Sequence, residues 1–142
     1  MSFDLPAATY SYLERSAASL REAIVDPDAG MRYAHAHVAA LRATAALLSA
    51  KATPVVAKRG RAPQRNAWVL LAQVAPELAE WAAFFSAGAA KRAAAEAGSR
   101  RAVTEREADD LVRDADKFLG LVETYLGLKP HASVPDQIVF AS

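Results

Sequence analysis

The side chains most able to do chemistry are concentrated in one short, alanine-rich segment that contains Arg32, His35 and His37. An arginine offers a fixed positive charge for a phosphate group, and an imidazole exchanges a proton near neutral pH. The separation of Arg32 from His37, with four residues between them, therefore indicates a pair that would act on a phosphodiester. The sequence adds no acidic pair, metal-ligand set or nucleophile motif to this segment.

Helix geometry supports a structural interpretation of the same residues. Five residues turn an α-helix through about 500°, so Arg32 and His37 would point roughly 140° apart. One copy of the chain could not easily bring both to one phosphate, whereas two copies facing across a cleft could. His35 and His37 lie about 200° apart, which excludes the i,i+4 spacing of a helical metal chelate. Packing or solvation is favoured over catalysis, and both interpretations stay open.

Composition and charge restrict the classes of function and partner. The chain has 142 residues, a net charge of +1 and no cysteine, which fits one domain and excludes disulfides and thiolate chemistry. So small a charge gives no general attraction to nucleic acid or to an anionic membrane. Residues 1–6 lack the pattern of a signal peptide, and charges interrupt every apolar stretch before it reaches membrane-spanning length. We therefore expect a cytoplasmic protein without a membrane segment, a metal or a cofactor.

Apolar residues recur with helical spacing in four segments. The segment Asp26-Pro27-Asp28 breaks the chain and provides an N-cap candidate for the second helix, and Pro76 should kink or split the third. Residues 104–107 form a capping box at the start of the last helix. The four segments span approximately residues 6–25, 29–52, 66–97 and 104–126.

Short connections between these amphipathic helices predict an all-α, antiparallel four-helix bundle over residues 1–127, followed by an irregular tail over residues 128–142. In up-and-down order, the start of the second helix lies at the same end as the connection between the last two helices. That end would gather the predicted binding residues His35, Arg92, Arg100 and Arg101 around Arg32 and His37.

The second helix carries a stripe of small side chains, which we call the alanine stripe. Its members are Ala36, Ala39, Ala43, Ala46 and Ala50. Small residues at helical spacing indicate close contact with another subunit, or a solvent-exposed face on which alanine only raises helix propensity. The stripe is therefore the predicted surface of a homodimer, with the solvent face as the alternative.

Two connecting segments carry further predictions. The basic linker, residues 51–65, has five Lys and Arg side chains and no acidic one. Such a run is typical of a solvated loop, although it would also suit contacts with phosphates. In the tail, Gln137–Phe140 is expected to pack as a short extended segment.

The segment Met31–Ala43 resembles the second helix of HEPN-superfamily domains (higher eukaryotes and prokaryotes nucleotide-binding). Three later segments resemble more specifically a small actinobacterial HEPN subfamily: Asn66–Trp68, Ala75–Phe85 and Ala108–Leu111. The resemblance covers roughly residues 8–126. It implies a four-helix bundle that commonly dimerises, with roles in RNA cleavage, toxin–antitoxin pairs, nucleotide binding or defence against foreign nucleic acid.

Ribonuclease members of that superfamily carry an Arg-x4–6-His motif, usually towards the start of a late helix. Arg32 and His37 match the spacing, but they lie in the second helix, and the last helix contains no histidine. The preferred function is a non-catalytic interaction or nucleotide/RNA-associated module, dimeric and bound to a protein, RNA or nucleotide partner. The alternative is a metal-independent ribonuclease in which Arg32 holds the scissile phosphate and His37 acts as general base or acid across a dimer cleft.

Overall fold

The computed structural model describes residues 4–51 and 63–134, except for the side chains of residues 63–66. Most of the basic linker lies outside the described residues, and so does the predicted extended segment Gln137–Phe140. The helices are α1 (Ala7–Val25), α2 (Ala29–Ala50), α3 (Pro63–Val74), a 3₁₀ turn (Pro76–Leu78), α4 (Ala79–Ala87), α5 (Ala89–Glu96) and α6 (Glu105–Tyr125). The described ranges contain no strand, and none of their helices is both long and apolar enough to cross a bilayer. The all-α class is confirmed, while the antiparallel four-helix arrangement stays a prediction.

Two helices begin where local side chains cap them, as the sequence predicts. The Asp28 carboxylate accepts a hydrogen bond from the Met31 amide at 2.8 Å and so caps α2. At the start of α6, the Thr104 hydroxyl accepts from the Glu107 amide at 3.0 Å, while the Glu107 carboxylate accepts from the Thr104 amide at 2.9 Å. Each cap satisfies amides that have no partner in the first helical turn, so neighbouring residues alone fix both starts.

The region predicted as a third helix comprises several helical pieces. Helix α3 ends at Val74, and Pro76 opens the 3₁₀ turn because proline has no amide hydrogen to donate to an α-helical ladder. Helices α4 and α5 meet at Gly88. A Cβ atom on Gly88 would lie only 2.7 Å from the hydroxyl oxygen of Tyr33. The missing side chain therefore lets α2 approach the junction of α4 and α5 closely.

The alanine stripe lies inside the chain, and the prediction that it forms a subunit interface or a solvent face is wrong. Four of its five members are completely buried: Ala36, Ala39, Ala43 and Ala46. Helix α2 packs mainly against α1 and α6. Small side chains shorten the distance between helix axes, and the Ser16 hydroxyl of α1 donates to the Ala39 carbonyl at 2.6 Å. The stripe therefore serves close packing of α2 inside the chain.

Aromatic rings fill the core between α3, α4 and α6. Phe85 and Phe118 are completely buried, with their ring centroids 5.1 Å apart. Trp68 stacks on Phe85 at 5.5 Å, and Trp81 contacts Phe85 at 6.0 Å and Phe118 at 5.8 Å. Burial of this much aromatic surface is a large favourable term in folding, so this cluster anchors α4 to α6.

Candidate functional site

Arg32 is held by oxygen atoms from two parts of the fold. Its Nε donates to the Asp109 carboxylate of α6 at 3.2 Å, its Nη2 pairs with Glu105, and its Nη1 donates to the Asp26 carbonyl at 3.1 Å. Only 11% of the side chain is exposed. Burial lowers the pKa of Arg32, but the hydrogen bonds and charges of Glu105 and Asp109 outweigh it and raise the pKa. The guanidinium is thus a permanent cation neutralised inside the chain.

His37 is completely buried between α2, α4 and α5. Its Nε2 lies 2.7 Å from the Phe85 carbonyl oxygen. A carbonyl can only accept, so Nε2 carries the hydrogen and Nδ1 is free to accept from the Arg92 guanidinium, 3.5 Å away. Burial lowers the pKa of His37, the Phe85 hydrogen bond opposes this, and the charge of Arg92 lowers it further. His37 is therefore a neutral imidazole that ties α2 to the end of α4.

Arg32 and His37 do not converge on one point within a single copy of the chain. The polar partners of Arg32 lie on α6 and in the connection between α1 and α2, whereas those of His37 lie on α4 and α5. Among the residues that the structure describes, the two side chains share no polar partner. This arrangement agrees with the divergence that helix geometry predicts for residues five positions apart.

Two of the predicted binding residues are engaged with neighbours in the fold. Arg92 pairs with Glu96 at 3.3 Å, and its Nη1 lies 3.5 Å from Nδ1 of His37. The Nε2 of His35 lies 3.6 Å from the Asp26 carboxylate, an ion pair when the imidazole is protonated. Arg92 belongs to the packing around His37, and half-buried His35 lies against the connection between α1 and α2.

Arg100 and Arg101 are exposed, and neither forms a hydrogen bond or an ion pair within the described ranges. Arg100 lines a cavity of about 700 Å³ where the connection between α1 and α2 faces the one between α5 and α6. Acidic side chains Asp28, Glu96 and Glu105 also line it. Of these two cations, Arg100 thus lies in the wall of an otherwise acidic cavity.

A further cluster of ionisable side chains, centred on His131, was not predicted from the sequence. Its Nδ1 lies 2.6 Å from a Glu123 oxygen and its Nε2 lies 2.8 Å from an Asp116 oxygen. The Asp116 carboxylate also accepts from the Val134 amide at 3.1 Å. The hydrogen bond to Asp116 raises the pKa of His131, burial opposes it, and Glu123 raises it further, to about 9. A charged imidazole therefore fastens the start of the tail to α6.

The sequence holds one signal that would have found this group. Asp116 and Glu123 lie seven residues, or two helical turns, apart, so they share one face of α6. His131 follows eight residues after Glu123, close enough along the chain to contact this face. Residues 128–142 have no helical period, however, and the sequence predicts only an irregular tail there. These side chains satisfy one another, and within residues 4–51 and 63–134 no group of three His, Asp or Glu side chains could hold a metal ion.

Comparison with known proteins identifies the family. No curated protein and no solved structure matches the chain. The family model of SAV_6107-like HEPN domains matches residues 23–123, well over half of the chain, and this range contains both Arg32 and His37. The chain therefore belongs to the SAV_6107-like HEPN family, as the resemblance of its sequence implies.

Proposed function

We propose that this chain is a non-catalytic helical module of the HEPN family, which acts by binding a partner and not by cleaving RNA. The observation that carries the proposal is the burial of His37, whose Nε2 hydrogen is committed to the Phe85 carbonyl. A general acid or base must come within hydrogen-bonding distance of the proton it transfers. To act so, His37 would have to leave the core, and Arg32 would have to release Glu105 and Asp109.

RNA or a nucleotide is the partner that the exposed cations favour. A guanidinium binds phosphate oxygens through two parallel hydrogen bonds, which needs donors that are not already occupied. Arg32 and Arg92 are paired with carboxylates, whereas Arg100 and Arg101 have no such partner within the described part of the chain. Phosphate contacts of this module are therefore assigned to Arg100 and Arg101.

Self-association is the second part of the proposal. HEPN domains commonly dimerise, and burial of the alanine stripe inside the chain means that a dimer of this module uses another face. Analytical ultracentrifugation at roughly tens of micromolar, where even modest interfaces are populated, should give a dimer. A strict monomer at that concentration would contradict it.

A cleavage assay separates the module from the ribonuclease alternative. We expect the purified chain not to cleave single-stranded or structured RNA above background in the presence of a chelator, which suppresses metal-dependent contaminants. His37→Gln keeps an N–H donor for the Phe85 carbonyl but removes the imidazole, and Arg32→Lys keeps the charge. If the chain cleaves RNA reproducibly, and if each variant abolishes cleavage while it stays folded, the non-catalytic module is rejected in favour of the ribonuclease.

A binding assay tests the proposed contact residues. Titration of labelled single-stranded RNA at several salt concentrations should give weak, salt-dependent binding. The double variant Arg100→Ala/Arg101→Ala should weaken binding and reduce its salt dependence. The matched control Arg15→Ala/Arg21→Ala removes the same charge from exposed positions of α1. Equal losses in the two double variants would show attraction by net charge alone and overturn the assignment.

A further inference from the structure

A second cavity, of about 350 Å³, opens between α4 and α6 and shares no residue with the cavity at Arg100. Its walls are formed by Glu80, Trp81 and Phe84 of α4 and by Asp114 of α6. Among the residues that the structure describes, two aromatic rings and two carboxylates thus line this cavity. We call it the α4–α6 pocket.

The two rings of the α4–α6 pocket stand at right angles. The centroids of Trp81 and Phe84 lie 6.4 Å apart, with an angle of 88° between the ring planes. Trp81 is fixed from behind by Phe85 and Phe118, whereas Phe84 leaves 47% of its surface exposed. Perpendicular rings form two walls of a corner, and the faces of aromatic rings attract cations.

The two carboxylates of the pocket are Glu80 and Asp114. Within the described ranges, neither Glu80 nor Asp114 forms a hydrogen bond or an ion pair. Glu80 lies in the first turn of α4, where the helix dipole favours a negative charge. Asp114 lies in the middle of α6, so no helix N-terminus stabilises its negative charge.

Burial affects the charged form of Asp114 directly. Burial raises the pKa of the Asp114 carboxyl and is the largest effect; the nearby charges of Lys117 and Arg113 oppose this rise, and the charge of Asp110 adds to it. A carboxylate that is partly removed from water and has no ion-pair partner is stabilised by a cation that enters beside it. The pocket is therefore complementary to a positive charge.

We propose that the α4–α6 pocket binds an arginine side chain of a basic segment on a partner protein. A guanidinium is planar and weakly hydrated, so it can stack on an aromatic ring while its edge donates to carboxylates. Trp81 and Phe84 supply the rings, and Glu80 and Asp114 supply the acceptors at the same opening. A lysine ammonium lacks the flat face and binds there less well.

The test compares three short peptides that differ at one position. Acetyl-Gly-Arg-Gly-amide, its lysine counterpart and its citrulline counterpart are titrated into the isotope-labelled chain, and the indole N–H signals of Trp81 and Trp68 are followed by NMR. Citrulline keeps the planar shape of arginine without the charge. The arginine peptide should shift the Trp81 signal saturably, the lysine peptide more weakly and the citrulline peptide not at all.

Variants locate the binding within the pocket. Glu80→Gln/Asp114→Asn and Phe84→Ala should each weaken arginine-peptide binding by roughly fivefold or more, a loss in the range of one cation–π or ion-pair contact. Glu14→Gln/Glu22→Gln removes the same net charge from exposed positions of α1 and should change nothing. Arg100→Ala/Arg101→Ala should also leave this binding intact, which keeps the result independent of the proposed RNA contacts.

Several outcomes would overturn the arginine pocket. These are equal shifts with the citrulline peptide, a shift confined to Trp68, equal losses in the two acid-to-amide double variants, or the absence of saturable binding at the highest peptide concentration that can be reached. Phe84 is half exposed, so its truncation should not unfold the chain, and circular dichroism of the variant checks this.

Discussion

The Nε2 hydrogen of His37 is donated to the carbonyl oxygen of Phe85, 2.7 Å away, across 48 residues of sequence. The same histidine is the one that the Arg-x4-His spacing marks as a candidate acid or base. Its hydrogen bond, its complete burial and the adjacent Arg92 guanidinium are the features of a residue that joins helices. His37 is thus used here in packing.

The packing role of His37 can be tested by comparing the free energy of unfolding of two variants. His37→Leu conserves most of the volume but removes both hydrogen bonds, and we expect it to lower the free energy of unfolding by about 1–3 kcal/mol. His37→Gln should lose less, because its side-chain amide can still donate to the Phe85 carbonyl. Urea denaturation measures both. Equal stability of the wild type and His37→Leu would contradict the role.

Features fixed by neighbouring residues were predictable from the sequence. Asp28 caps α2 through an amide three residues away, and Thr104 and Glu107 cap each other over the same distance. Short-range hydrogen bonds of this kind depend on residue type and spacing alone. The starts of α2 and α6 and the all-α class therefore follow from the sequence.

Contacts between distant residues were not predictable in the same way. Arg32 binds Asp109 at a separation of 77 residues, and nothing local to either residue marks that pair. The alanine stripe has one periodicity whether it meets another helix of the same chain, another subunit or water, so its spacing could not distinguish these. His131 reaches α6 from a segment without helical period, where pattern analysis has nothing to measure.

The His131 ion pairs predict a pH dependence of stability. The folded-state pKa, about 9, lies above the ordinary 6.5, so the protonated imidazole stabilises the fold fully below pH 6.5 and this contribution is lost as the pH rises through 9. We expect His131→Asn to cost about 2–3 kcal/mol at pH 6 and much less at pH 10, where the imidazole is neutral in the wild type too.

Chemical denaturation of wild type and His131→Asn across this range measures the difference, and groups common to both proteins cancel. An NMR titration of the His131 ring gives its pKa directly. A value near 6.5, or a stability difference that does not change with pH, would show that Asp116 and Glu123 do not hold the imidazole in its charged form.

Truncation of buried and of exposed aromatic side chains should reduce the free energy of unfolding by very different amounts. Phe118 is completely buried against Phe85 and Trp81, so Phe118→Ala should reduce the free energy of unfolding by about 3–5 kcal/mol through lost contacts and a residual cavity. Trp81 is half-buried on the same cluster, and Trp81→Ala should fall in the lower part of that range. Phe84→Ala serves as the exposed control. Small, equal changes in all three would contradict the packing of α4 on α6.

The contact between Gly88 and Tyr33 provides the last prediction. A Cβ atom on residue 88 would lie 2.7 Å from the Tyr33 hydroxyl oxygen, closer than non-bonded atoms can sit, so Gly88→Ala must displace the ring or separate α2 from the α4–α5 junction. Overpacking of this kind costs about 1–3 kcal/mol. The backbone of Gly88 has an ordinary right-handed helical conformation, so alanine introduces no conformational strain there.

Because the clash involves only the hydroxyl oxygen, removing that oxygen should relieve it. The double variant Tyr33→Phe/Gly88→Ala is therefore expected to be more stable than Gly88→Ala alone, with a coupling free energy of about 1 kcal/mol or more in a double-mutant cycle followed by urea denaturation. Additive effects of the two substitutions would mean that α2 and the α4–α5 junction do not meet at this pair. Coupling of the expected sign would instead establish that the missing side chain of Gly88 sets the approach of α2 beside His37, whose ring lies 3.5 Å from the same position.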